Sequence, residues 1–142
     1  MSVEANTALF RRFLEEVANR GNLAAVDEVM APDFTEHEVL PPGTPPGREG
    51  VKQVFAMLRA GLPDLQVTID DAIATGDKVV CRETWRGTHR GELLGAAPTG
   101  KRVEFGAIDI VRVADGKLVE HWGQSDWLGL LQQVGALPAP DS

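Results

Sequence analysis

Two aspartates in the last third of the chain, Asp109 and Asp126, are the residues whose type and surroundings best suit chemistry. Both stand in a mostly apolar stretch, where an unpaired carboxylate is strongly disfavoured because it loses its hydration. A carboxylate in such surroundings is either well partnered or poised to exchange a proton with a substrate. We therefore predict acid/base chemistry at these two positions, with helix capping as the alternative role of Asp126.

The two aspartates flank a predicted hairpin whose turn is Asp115-Gly116, since glycine supplies the positive φ that two-residue turns require. A two-residue turn pairs Asp109 with Trp122 and turns His121 outward. The pocket face in this register would carry Asp109, Trp122, Gln124 and Asp126. A three-residue turn with a bulge at Gly116 would instead pair Asp109 with His121, so the sequence leaves two registers open.

The other candidates for a binding site are aromatic residues and histidines. Trp85, Phe105 and Trp122 are predicted to form pocket wall or core. His37 precedes a proline-rich loop, where it either orients substrate or forms a loop hydrogen bond. His89, at a strand end, is expected to be solvated or bonded to a turn. Because the histidines are scattered without the spacing of metal ligands, we predict no metal site.

Composition limits the class of partner. The chain has 142 residues and a net charge of -7, with no cluster of Lys and Arg, so we expect no nucleic-acid partner. No stretch approaches the ~20 apolar residues that span a bilayer, and no secretory leader is evident, so we expect a cytoplasmic protein. The single cysteine, Cys81, lies in an apolar pattern and is predicted to be a small core residue.

Hydrophobic periodicity places helices before strands. Apolar residues at helical spacing predict three N-terminal helices, over residues 4–19, 22–31 and 49–62. From Leu65 the period changes to two, which predicts strands that include 78–89, 101–113 and the segment after the Asp115-Gly116 turn. A short helix that starts at Ser125 or Asp126 follows the last strand. This order predicts a single α+β domain over residues 1–142, with helices packed on the concave face of a bent sheet.

Short motifs run along the chain in a distinctive order. They include Gly21-Asn22-Leu23, Ala31-Pro32-Asp33-Phe34, Gly47-Arg48-Glu49-Gly50, Pro98-Thr99-Gly100, Asp115-Gly116-Lys117, and Trp122 with Asp126. In this order the chain resembles the SnoaL-like polyketide cyclase family of the NTF2-like superfamily. The resemblance implies a cone in which about three N-terminal helices pack on a strongly bent antiparallel sheet, with a short C-terminal helix and a deep pocket. It also implies a homodimer or homotetramer built on the outer sheet face.

For function, the resemblance implies an aldol-type ring closure on a hydrophobic, polyketide-like carbonyl compound, without cofactor or metal. Asp126 would be the general acid/base, with Asp109 beside it. The substrate-binding residues would be His37, Trp122, Gln124, Phe105 and Trp85. One position departs from the family, because Ala107 stands where relatives carry a polar helper. The main alternative is a non-catalytic small-molecule binder. An epoxide hydrolase is less favoured, because Ala107 also stands where the resemblance implies an Arg. An isomerase in the same pocket is less favoured as well.

Overall fold

The computed structural model describes residues 2–140 and packs helices against one five-stranded sheet. The elements in chain order are α1 (Val3–Phe13), a π-helical segment (Leu14–Asn19), α2 (Ala25–Val29), β1 (Met30–Glu36), α3 (Gly47–Gly61), β2 (Gln66–Thr75), β3 (Lys78–Thr88), β4 (Arg102–Ala114), β5 (Lys117–Ser125) and α4 (Trp127–Gln133). This arrangement confirms the α+β architecture predicted from the sequence, with N-terminal helices ahead of the strands and a short helix after them.

The strands lie in the order β1-β5-β4-β3-β2. β2, β3, β4 and β5 pair with their neighbours in antiparallel fashion, but β1 runs parallel to β5. The expectation of a wholly antiparallel sheet is therefore wrong at this edge. A hairpin turn forces two consecutive strands to be antiparallel, whereas β1 and β5 are far apart in the chain and no turn sets their direction. The parallel pairing brings the end of β1 beside the middle of β5.

The first helix has a side-chain cap at its start and continues into a wider turn at its end. Ser2 caps α1, because its Oγ accepts a hydrogen bond from the Ala5 N–H at 3.0 Å. The predicted helix over 4–19 is continuous but widens into a π-helical turn from Leu14 onward.

Phe55 of α3 stacks on Trp85 of β3, with ring centroids 5.8 Å apart, and so joins the helical layer to the sheet. Among the helices of residues 2–140, none is long and apolar enough to cross a membrane.

The inward faces of β3 and β4 form the floor of the core, and each carries one acid. On β4 alternate residues from Val103 to Val113 are buried, and Asp109 belongs to this row. On β3 the row contains Glu83, which is only 1% exposed. Cys81 is fully buried in the same row, as predicted, and burial raises the pKa of its thiol to about 12. Two acids therefore lie within an otherwise apolar surface that faces the helices.

The β4–β5 hairpin has the predicted two-residue turn, with positive φ at Asp115 and Gly116. Pairing begins as expected with Val113 opposite Leu118, and then the register shifts by one residue. The extra residue is Val119, so Asp109 lies opposite Gly123. Neither predicted register is correct, because a bulge within β5 has no sequence signature as clear as that of the turn. The shift reverses the faces of every later residue of β5.

Candidate active site

A cavity of about 70 Å³ lies between the helices and the inward face of the sheet. Most of its wall is apolar and includes Phe10, Phe55, Leu58, Trp85, Phe105 and Trp127. Its polar side chains gather at one end, where β1, β4 and β5 meet. They are Glu36, Glu38, Asp109, His121 and Ser125. An apolar chamber with a few convergent polar groups is the usual form of a small-molecule site.

His121 is held between two carboxylates. Its Nδ1–H donates to Glu36 Oε1 at 2.5 Å, and its Nε2–H donates to Asp109 Oδ1 at 2.6 Å. Burial alone lowers the pKa of His121, but the hydrogen bonds and charges of Asp109 and Glu36 outweigh it and raise the pKa to about 10. The ring is therefore an imidazolium at neutral pH, and both of its N–H groups are fixed in direction.

Glu83 lies beside Asp109 on the neighbouring strand. Its Oε1 accepts a hydrogen bond from Trp85 Nε1–H at 3.0 Å, whereas Oε2 finds no N–H or O–H donor in the described part of the chain. Burial first, and then the hydrogen bond and charge of Asp109, raise the pKa of Glu83 to about 10. Glu83 is thus a neutral acid at physiological pH, and its proton supplies a hydrogen bond to the Asp109 carboxylate.

Glu38 follows β1 and reaches the same end of the cavity. Its Oε2 accepts hydrogen bonds from Ser125 Oγ at 3.1 Å and from Trp127 Nε1 at 3.2 Å. Burial raises the pKa of Glu38, and the negative charge of Asp109 raises it further, against the opposing effect of His121. The carboxylate is therefore a stronger base than an exposed glutamate.

Three groups of this cluster have donor atoms close enough together to hold a metal ion. Glu38, Asp109 and His121 each offer one such atom, and these atoms lie within 4.8 Å of one another. A divalent ion would have to displace the proton on His121 Nε2, since a ligating imidazole must be deprotonated there. Because the pKa of His121 is about 10, the structure favours a proton in this position at neutral pH.

Three of the residues predicted for the site line the cavity, namely Asp109, Trp85 and Phe105. Asp126 does not. It is exposed, and its Oδ1 accepts a hydrogen bond from the Gly129 N–H at 2.9 Å, which makes it the N-cap of α4. The prediction that Asp126 faces the pocket is wrong because the bulge in β5 turns Ser125 inward instead.

The other predicted binding residues lie outside the cavity for the same reason. Trp122 is on the outer sheet face, where the His37 ring stacks on it with centroids 4.9 Å apart. His37 Nε2 is also 2.8 Å from Glu120 Oε2, so this histidine belongs to a surface contact. Gln124 is exposed on the outer face. The prediction that these three residues line the pocket is wrong.

His89 is fully buried, although a solvated position was one expectation. Its Nδ1 accepts a hydrogen bond from the Thr99 N–H at 3.2 Å, so it bonds to the loop between β3 and β4.

The sequence did not reveal most of the charged groups at or beside the polar end of the cavity, namely Glu36, Glu38, Glu83 and His121. Glu83 could have been found, because it interrupts the inward row of β3 between Cys81 and Trp85. Glu36 and Glu38 carried no comparable signal, since their place in the cavity depends on the long-range parallel pairing of β1 with β5. His121 was assigned to the outer face only because the bulge was not foreseen.

Comparisons with known proteins bear on the family of this chain. Residues 8–134 match the family model of SnoaL-like polyketide cyclases. The chain is 30% identical over 127 residues to nogalonic acid methyl ester cyclase of Streptomyces nogalater, which covers 87% of this chain and 92% of that protein. It is also 38% identical over 56 residues to aklanonic acid methyl ester cyclase DnrD of Streptomyces peucetius, covering 39% of each.

Solved structures with similar sequences have a similar fold. TsrD from Streptomyces laurentii has a TM-score of 0.85 at 32% identity, covering 96% of this chain and 99% of TsrD. Wild-type IdmH from Streptomyces antibioticus has a TM-score of 0.78 at 38% identity, covering 92% of this chain and 98% of IdmH. With the family model matched from α1 to α4, the resemblance read from the motifs is confirmed, and the chain belongs to the SnoaL-like polyketide cyclase family, with the NTF2-like α+β fold.

Proposed function

We propose that this protein closes a ring in a hydrophobic, polyketide-like ester by acid/base catalysis that uses only its own side chains. The relatives support the substrate class, because two of them are named as cyclases of methyl esters, of nogalonic acid and of aklanonic acid. The largely apolar wall of the cavity suits such a molecule, and its polar end concentrates the groups that exchange protons.

The proposed reaction is an intramolecular aldol addition. A carboxylate removes a proton from a carbon flanked by carbonyl groups, and the electrons of that C–H bond pass to the oxygen of an enolate. The enolate carbon then attacks a second carbonyl of the same molecule, so a C–C bond forms and the carbonyl oxygen becomes an alkoxide. The alkoxide takes up the proton. The product is an isomer of the substrate, and no oxidant or reductant is consumed.

The observation that carries this proposal is the position of His121, which is hydrogen-bonded to two carboxylates in the wall of an apolar cavity. Negative charge develops on the substrate oxygen during the reaction, and a fixed positive charge in a water-poor site stabilises it without reorganisation. Asp109 and Glu36 keep His121 protonated and fix its ring. Asp109 is therefore a positioning residue that acts through His121.

Replacement of Asp109 by Asn tests the proposal. The amide keeps the size of the side chain and can accept the His121 hydrogen bond, but it removes the charge that favours the imidazolium. We expect kcat to fall about 100-fold, and we expect the alkaline limb of the pH profile to move to lower pH. Activity would be measured with nogalonic and aklanonic acid methyl esters by chromatography, since the product has the same mass as the substrate.

The matched control is Glu104→Gln, an exposed position on the outer face of the same strand. It should retain wild-type turnover. If wild-type protein binds these esters without converting them, the alternative of a non-catalytic binder is correct and the proposal fails. Unchanged kcat and pH profile in the Asp109→Asn variant, with active wild type, would also refute the role of the imidazolium.

A further inference from the structure

Gly123 allows three polar side chains to approach the backbone closely at the polar end of the cavity. It lies opposite Asp109 in the β4–β5 ladder. A Cβ atom at this position would collide with Glu38 Oε1 and would lie 2.6 Å from Asp109 Oδ1 and 2.8 Å from His121 Cε1. Glu38, Asp109 and the His121 imidazolium thus converge over the Gly123 Cα, in space that a side chain at this position would need. Because these three residues also line the cavity, a substrate bound there can contact all of them.

Glu38 has one carboxylate oxygen at this point that accepts no hydrogen bond from the described residues. Ser125 and Trp127 both donate to its Oε2, which fixes the carboxylate plane and leaves Oε1 directed at the space above Gly123. Across residues 2–140, no hydrogen bond to Glu38 Oε1 is present. A carboxylate oxygen that is desolvated, oriented and without a donor is available to accept a proton from carbon.

The other acids of the cluster are already engaged. Asp109 accepts from His121 and contacts the neutral Glu83. Glu36 Oε1 accepts both from His121 Nδ1–H and from the Glu38 backbone N–H at 2.9 Å. Glu83 does not line the cavity. Hydrogen bonds to a carboxylate stabilise its charged form and so weaken it as a base. Glu38 also accepts two hydrogen bonds, but both reach Oε2, so by position its Oε1 is the oxygen best placed to accept a substrate proton.

We propose that Glu38 is the general base of the ring closure, a role that rests on the function proposed above. Glu38 Oε1 takes the proton from the substrate carbon, and the C–H electron pair passes to the enolate oxygen beside the His121 imidazolium. After the enolate carbon has formed the new C–C bond, the resulting alkoxide recovers the proton from Glu38. Glu38 ends the cycle as a carboxylate, and His121 remains charged throughout.

The charges around Glu38 predict a diagnostic pH profile. Burial raises the pKa of Glu38 most, and the charge of Asp109 on β4 raises it further. His121 on β5, Trp127 and Ser125 lower this pKa. Glu36, on Glu38's own segment, accepts its backbone N–H. Activity should therefore rise with pH as Glu38 loses its proton, with a midpoint above the ordinary value of 4.5. Removal of the Ser125 donor should move this acid limb to higher pH, an effect that a purely structural role of Glu38 would not produce.

Hydrogen–deuterium exchange at the substrate carbon isolates the proposed step. Nogalonic and aklanonic acid methyl esters would be incubated with enzyme in D₂O, and deuterium in unreacted ester and in product would be measured by mass spectrometry. Glu38→Gln, which is nearly isosteric, should reduce exchange and ring closure together by about 100-fold or more. Ser125→Ala should stay active with its acid limb shifted upward. Gly123→Ala should lose activity, because its methyl group would displace Glu38 and the groups around it.

The outcomes separate the two proposals. If wild type exchanges and cyclises but Glu38→Gln does so equally well, the assignment of Glu38 is overturned while the cyclase function stands. An unmoved acid limb in Ser125→Ala likewise overturns the assignment. If wild type neither exchanges nor cyclises either ester, the proposed function fails, and the role of Glu38 fails with it. Glu104→Gln serves again as the control that should match wild type, and circular dichroism verifies the fold of each variant.

Discussion

Replacement of Glu83 by Gln is expected to stabilise the fold at neutral pH, although the residue is almost completely buried. Burial and the neighbouring Asp109 raise the pKa of Glu83 from 4.5 to about 10, so the folded protein carries this carboxyl protonated. The unfolded chain carries it ionised at neutral pH, and folding must therefore take up a proton. Glutamine needs no proton. Its amide can still donate to Asp109 and accept the hydrogen bond of Trp85.

The size of the effect follows from the two pKa values. Because the folded pKa of Glu83 is raised, its contribution to stability is fully present below the unfolded pKa of 4.5 and is lost as pH rises toward about 10. Each pH unit in this window costs about 1.4 kcal/mol. At a pH of about 7.5 the accumulated cost is about 4 kcal/mol, which is the upper limit of the gain expected in the Gln variant. Near pH 4.5 the two proteins should be equally stable.

Urea unfolding followed by circular dichroism measures this difference. The free energy of unfolding would be determined for wild type and Glu83→Gln at several values from about pH 5 to about pH 8, where the linkage slope applies. The difference should grow steadily with pH. Glu92→Gln, at an exposed position, is the control and should track wild type. A difference between Glu83→Gln and wild type that does not change with pH would show that Glu83 is ionised in the folded state and would refute the reasoning.

Two further predictions concern the charged cluster and the outer face of the sheet. The pKa of His121 is raised from 6.5 to about 10, so its contribution to stability is complete below 6.5 and is lost as pH rises through about 10. In a Glu83→Gln background, the free energy of unfolding should therefore fall at alkaline pH, and His121→Gln should abolish this fall; a persistent fall would assign it to another group. On the outer face, Ile73 and Ile108 are 60% and 51% exposed, and we expect a second copy of this chain to cover them. Size-exclusion chromatography with light scattering should show an oligomer that Ile108→Lys converts to monomer, and a monomeric wild type would contradict this.

Much of the fold could be predicted because local patterns encode it. Helical spacing of apolar residues identified the N-terminal helices, and the Asp115-Gly116 turn was correctly located. The inward position of Asp109 also followed from simple alternation along β4. These features depend on residues that are close in the chain, so a single sequence is sufficient to reveal them.

The candidate site was harder to predict because it depends on pairing between distant residues. One extra residue, Val119, turned His121 into the cavity and Trp122 out of it. Side chains alternate between the two faces of a sheet, so a shift of one residue moves every later side chain to the other face. A small error in register therefore assigns a whole set of site residues to the wrong face. The parallel pairing of β1, which delivers Glu36 and Glu38, left no local pattern at all.

Ala107, the position where the family resemblance implied a polar side chain, lies beside an acid of the neighbouring strand. Ala107 lies directly opposite Glu83 in the β3–β4 ladder, and both side chains are buried on the inward face. The Cβ atoms of such cross-strand partners are about 5 Å apart, so a long polar side chain at 107 would occupy the space that the Glu83 carboxyl needs. The methyl group of Ala107 leaves room for the Glu83 carboxyl, whose proton forms a hydrogen bond with Asp109. A polar partner for Asp109 is supplied here from β3, as a neutral acid that supports the charge of Asp109 and, through it, the charge on His121.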